Sequence, residues 1–233
     1  MKTLSRIIIP IQPRSLAEAK KMLRAAEKVG DVVEIWLDGL SDLNDLAIRD
    51  LVDFAHRPLI LNLKDAAEKG RFRGSMSDRL ELLGAGAAAA TRKGQLFIDI
   101  PLACPAARIR AFKAQYKKIQ LIVSWHDFTG MPSVAQLRKL ARKAETAGAD
   151  IIKLVGTAKA MTDNYPVLGI TRELAEAGQP CLTMAMGEAG QMTRVITPLM
   201  GGWGMFAAQS EKTASATGQL TAKELKKLWE KMS

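Results

Sequence analysis

Only two cysteines, Cys104 and Cys181, occur in the chain, far apart and with no CxxC or Cys/His ligand spacing. That pattern excludes a disulfide framework and a thiolate metal site, so no metal and no redox pair are expected, and it fits a reducing cytoplasm. No apolar run approaches the roughly 20 residues of a membrane span. The early segment RIIIPI is too short and too proline-broken for a secretory signal. Aromatic residues make up only 5% of the chain, and histidines number two. The net charge of +10 is spread through helical patterns rather than packed into one run. A small anionic substrate is therefore expected as partner, rather than nucleic acid or a membrane. No GxGxxG follows the first apolar run, which argues against an open doubly wound sheet.

Hydrophobic residues supply 48% of the 233 positions and charged ones 25%, and mean hydropathy is -0.01, an ordinary globular balance. Short β-branched runs at 6–11, 32–37, 58–63, 95–100, 119–124, 150–155, 180–184 and 201–207 alternate with helical patterns. Several runs are apolar on both faces, as parallel strands covered by helices must be. Ser15 is expected to cap a helix over 16–28, Ser77 or Asp78 to start one ending at Arg92, and Ser133 to precede one over 134–147. Thr171 is expected to begin a short helix ended by Gly178, and Thr221 to cap a last one over 222–232. Strands and helices in strict alternation, with no linker, predict a single α/β domain over 1–233, a (β/α)8 TIM barrel. An open doubly wound sheet is the alternative. In such barrels chemistry gathers at the carboxyl ends of the strands, so polar residues there are the informative ones.

Lys153 interrupts the run Asp-Ile-Ile-Lys-Leu-Val. Its ammonium either reaches a rim with the stem packed, or sits in the barrel mouth, where desolvation and nearby cations would lower its pKa and free a nucleophilic amine. His126 ends the preceding strand, so the two side chains can converge on one pocket. The alternative for His126 is a histidine bonded to a carbonyl, as His56, before Arg57-Pro58, illustrates. Glu34, Trp36 and Asp38 fall on one face by the strand period of two. Glu34 is either a ligand for hydroxyls or a structural ion-pair partner. Arg194 follows Met-Gly-Glu-Ala-Gly-Gln-Met-Thr, where it is either a solvated helix residue or a fork for a carboxylate.

The stretches VEIWLD, SWHDF, ADIIKLVG, TMAMGEAGQMTR and ASATGQ, in that order, resemble type I 3-dehydroquinate dehydratase over essentially the whole chain. The resemblance implies a cofactor-free lyase that dehydrates 3-dehydroquinate to 3-dehydroshikimate in aromatic amino-acid biosynthesis, and a homodimer. It implies an imine on Lys153, proton shuttling by His126 and orientation of His126 by Glu68. Glu34 would hold hydroxyls, Arg194 would clamp the carboxylate, and Ser215 and Gln219 would lie on a loop that closes over the site. Two positions depart from the family: Trp36 and Lys64 stand where arginine is usual. Both are still expected to touch substrate, with Arg71 or Arg73 replacing a missing cation. The departures leave open a related Schiff-base barrel lyase with another keto-acid substrate. The basic charge leaves open a non-catalytic ligand-sensing or nucleic-acid-binding barrel.

Overall fold

The computed structural model describes residues 5–232. Its elements alternate from end to end. They are β1 (Arg6–Ile11), α1 (Leu16–Ala26), β2 (Val32–Trp36), α2 (Asp45–Phe54), β3 (Leu59–Asn62), α3 (Met76–Ala89), β4 (Leu96–Pro101) and α4 (Ala106–Gln115). There follow β5 (Gln120–His126), α5 (Val134–Thr146), β6 (Ile151–Thr157), α6 (Asn164–Glu176), β7 (Cys181–Met186), α7 (Gln191–Leu199), β8 (Gly204–Phe206) and α8 (Ala222–Met232). All strand pairs are parallel, in the order β7-β6-β5-β4-β3-β2-β1-β8. The two end strands approach each other where Trp203 N–H donates to the Cys181 carbonyl at 2.8 Å. The predicted (β/α)8 barrel is the observed fold. Strands such as β3, buried at every position, are covered by the helices outside and by packed side chains inside.

Local signals set most helix starts. Ser15 accepts from Glu18 N–H, Ser133 forms a capping box with Gln136, and Thr221 Oγ1 accepts from Glu224 N–H. Two starts differ from expectation. Helix α3 begins one turn earlier than Asp78 would set it, because Ser75 is the cap and Asp78 closes its box. Helix α6 begins at Asn164, not Thr171. Pro166 sits in its first turn, where a missing N–H costs nothing. Thr171 is instead buried mid-helix, its hydroxyl 2.6 Å from both the Val167 carbonyl and the Thr183 hydroxyl.

Register decides which side chains fill the barrel. Pro10 is opposite Glu34, Trp36 opposite Asn62, Asn62 opposite Asp99, and Pro101 opposite Ser124. Ser124 is in turn opposite Lys153, His126 opposite Val155, and Val155 opposite Met184. Residues in register point the same way, so Glu34, Asn62, Asp99, Ser124, His126 and Lys153 all face the barrel interior. Trp36 ends β2, and the next three residues form a 3-10 turn, which takes Asp38 off the predicted shared face. The Asp38 carboxylate accepts instead from the backbone N–H of Lys64 at 3.2 Å and of Arg71 at 3.0 Å, fixing the loop after β3.

Candidate active site

A cavity of about 470 Å³ opens at the carboxyl ends of the strands. Glu34, Trp36, Lys64, Glu68, His126, Lys153, Arg194, Ser215 and Gln219 all line it, whereas Asp38, Arg71 and Arg73 do not. A larger cavity, about 760 Å³, lies at the opposite end among residues such as Arg6, Asp31, Gln179, Trp203 and Lys226. Chemistry, not volume, separates them: the smaller one holds the buried amine, imidazole and guanidinium, at the end of the barrel where catalytic side chains collect.

Lys153 is 3% exposed. Its Nζ donates to Glu34 Oε1 at 3.0 Å and to Asp99 Oδ2 at 2.8 Å, and lies 4.5 Å from the centre of the Phe206 ring. Burial opposes the charge, but the two carboxylates outweigh it and hold the amine above its usual range. This corrects the expectation that neighbouring cations would lower it: the resting residue is an ammonium clamped between acids. Asn62 Nδ2 donates to the same two oxygens, at 3.2 Å to Glu34 and 3.1 Å to Asp99. The Trp36 indole N–H donates to the other Glu34 oxygen at 2.6 Å. Burial raises the Glu34 carboxyl, while Lys153, Lys64 and the Trp36 N–H lower it, and the net effect is downward. Glu34 is thus an anion engaged on both oxygens.

His126 lies at the end of β5, its ring stacked 5.9 Å from Phe128, over which Lys69 Nζ sits at 4.4 Å. Burial, reinforced by the Lys153 and Lys64 cations, holds the imidazole well below its ordinary value, so it is neutral at pH 7 and able to accept a proton. Glu68 Oε1 stands 3.8 Å from His126 Nδ1, aimed at it but outside hydrogen-bond distance. Lys64 is buried with its Nζ 3.8 Å above the Trp36 ring, and burial lowers its pKa. Arg71 and Arg73 are exposed and absent from the cavity lining, whereas Lys69, also exposed, lies on it. Lys69 adopts φ 62°, which turns the chain back so that Phe72 N–H donates to the Lys64 carbonyl.

Arg194, on the first turn of α7, is 2% exposed. Among the described residues its polar contact is Nη1 to Met184 Sδ at 3.8 Å, and its Nε has no partner there. Burial alone pushes the guanidinium down to about 10. A buried cation with no counter-charge is costly, and such a group facing a cavity is built to receive an anion. Across the opening, Ser215 N–H and Oγ both donate to Gln219 Oε1, at 2.7 and 3.2 Å, leaving Gln219 Nε2 buried and unpaired. Gly218, at φ 78°, lets this loop pack its backbone on the Gly187 carbonyl, where a Cβ would collide. Glu68 Oε1, Arg194 Nε and Gln219 Nε2, all on residues that line the cavity, are buried without partners among the described residues. Buried groups without partners are rare, and their concentration here marks a place prepared for a polar ligand.

Asp99, Asn62 and Arg79 escaped prediction. Asp99 had the same signal as Lys153, a charge inside an apolar strand, in Leu-Phe-Ile-Asp-Ile-Pro. A barrel mouth that joins a carboxylate-clamped lysine, a neutral imidazole and a free guanidinium belongs to an enzyme acting on a small organic anion. Residues 7–233 match the family described as type I 3-dehydroquinase, and the chain belongs to that family. A 3-dehydroquinate dehydratase of Methanosarcina barkeri is 35% identical over 92% of this chain and 91% of its own length. One of Methanosarcina acetivorans is 32% identical over 96% and 93%. The crystal structure of 3-dehydroquinate dehydratase from Geobacillus kaustophilus shares the fold, with a TM-score of 0.88 at 24% identity over 99% of this chain and 91% of that one.

Proposed function

We propose that the chain is a 3-dehydroquinate dehydratase that works through an imine on Lys153, with no metal or organic cofactor. The observation that carries the reading is Lys153 and His126 facing one cavity with an unpaired buried guanidinium. Arg194 anchors the substrate carboxylate, and Lys64 and Glu34 meet ring hydroxyls. The Lys153 ammonium first gives up a proton, for which Asp99, Glu34 and the neutral His126 are at hand. The amine adds to the ring ketone and water leaves, giving a protonated imine that withdraws electrons from the neighbouring C–H bond. His126 removes that proton and returns it to the departing hydroxyl, which leaves as a second water. Hydrolysis of the imine consumes one water and frees the amine, so one water is lost per turnover. Ser215 and Gln219 close the opening and keep bulk water from the imine.

A homodimer in the cytoplasm, acting on a small anion and not on nucleic acid, completes the reading. The small-anion part is supported by Lys64, Lys153 and Arg194 lining the cavity as buried cations. The test is growth of conjugated-enone absorbance when purified protein meets 3-dehydroquinate, with Lys153→Ala as control. Activity in the wild type and none in the variant is expected. Equal activity in both would refute the assignment of Lys153.

A further inference from the structure

Arg79 lies on α3, outside the ring of strands, yet is 1% exposed. Its Nη2 donates to Glu68 Oε2 at 2.5 Å, and its Nη1 stands 3.7 Å from Asp65 Oδ2. One Glu68 oxygen is thereby occupied, and the other, buried and unbonded, is left aimed at His126 Nδ1. Asp65 also caps the short turn that carries Glu68, accepting from the N–H groups of Ala67 and Glu68. Both carboxylates that face Arg79 therefore shape the approach of Glu68 to the imidazole. A buried guanidinium with two nitrogens unbonded costs stability, so packing alone does not account for it.

We propose that Arg79 is a positioning residue for the reaction: it keeps Glu68 an anion turned toward His126, so that the imidazole carries its proton on Nδ1 and offers a free Nε2 to the substrate. This rests on reading His126 as the proton shuttle. An anionic oxygen beside Nδ1 favours the tautomer protonated there, whereas a neutral carboxyl can donate to Nδ1 and reverse it. The groups that face Glu68 are Arg79 from α3, Lys64 from the end of β3, Asp99 from β4 and His126 from β5. The Glu68 carboxyl sits above its ordinary value because burial, helped by Asp99, outweighs Arg79; Arg79 is the strongest influence limiting that rise, with Lys64 weaker. His126 is held neutral by burial first and then by the cations Lys153, Lys64 and Arg79, against the opposing charge of Glu34. Without Arg79, Glu68 would take up a proton at higher pH, and the shuttle would fail in the lower part of its working range.

The test uses the full chain as wild type, Arg79→Gln, Arg79→Lys and Glu68→Gln, with kcat/KM for 3-dehydroquinate followed against pH. In Arg79→Gln the acid limb should move up by about one pH unit or more, the scale of a lost opposite charge at contact distance. Arg79→Lys should bring it back close to the wild-type position. A uniform loss at every pH, with the limb unmoved, would mean that Arg79 only holds the fold and would overturn the proposal. Nitrogen-15 spectra read the tautomer independently of turnover and, with two histidines in the chain, assign readily. Wild type and Arg79→Lys should show Nδ1–H at neutral pH, and Glu68→Gln should disturb it. Nε2–H in the wild type would overturn the proposal even if Arg79→Gln fails to fold. Absent turnover with Nδ1–H intact would instead count against the reaction and leave the positioning role supported.

Discussion

Replacing Arg194 by methionine should make the substrate-free protein more stable while destroying its function. Burial pushes the guanidinium down from its ordinary value to about 10, with no carboxylate among the described residues to offset it. Each tenfold change in proton affinity corresponds to about 1.4 kcal/mol, so holding this cation costs the folded state on the order of 3 kcal/mol. The sign follows from the direction: a base whose folded pKa is depressed is penalised while charged, so the cost is fully present below about pH 10 and fades only above it. Methionine has similar reach and no charge, and some packing is lost, so a net gain of about 2 kcal/mol is expected. At this chain length that corresponds to a rise in Tm of roughly 4–8 °C. Differential scanning fluorimetry with and without 3-dehydroquinate, run beside steady-state kinetics, measures it. The ligand should stabilise wild type and leave Arg194→Met unmoved, and kcat/KM should collapse. A lower Tm for the variant, or equal stabilisation of both by the ligand, would refute the claim that Arg194 waits uncompensated for an anion.

His126→Gln should lower kcat by roughly 10²–10⁴, the usual worth of a positioned acid–base group, while imine trapping on Lys153 persists. Asp99→Asn removes one of the two carboxylates that hold the Lys153 proton, so trapping as a function of pH should begin at lower pH than in wild type. An onset at higher pH would show that Asp99 acts chiefly as the proton acceptor. Gly218→Ala places a methyl against the Gly187 carbonyl at a φ of 78°. A loss of about 1–3 kcal/mol in chemical denaturation and a raised KM are expected as the closing loop is pushed outward.

The barrel was legible because its parallel strands are apolar on both faces and separated by capped helices. β8 has only three residues and follows Gly201 and Gly202, so its predicted span ran too long. The start of α6 at Asn164, a turn or two before Thr171, was missed because no side-chain cap marks it. In the site, Lys153, Glu34 and His126 stood out because a polar residue at the carboxyl end of an apolar strand has few structural excuses. The charge state of Lys153 did not follow from sequence. Glu34 is 119 positions away and Asp99 is 54, and only the closed barrel makes them neighbours. Arg79 was invisible for the opposite reason: its spacing on α3 is that of any arginine on a helix, and what distinguishes it is the inward turn onto Glu68.

Borohydride added to the protein with 3-dehydroquinate, followed by intact-mass and peptide mapping, bears most directly on the central claim. A single reduced adduct on Lys153, present in His126→Gln and absent from Lys153→Ala, is the expected result. An unmodified lysine beside full turnover, or an adduct carried by Lys64, would contradict it.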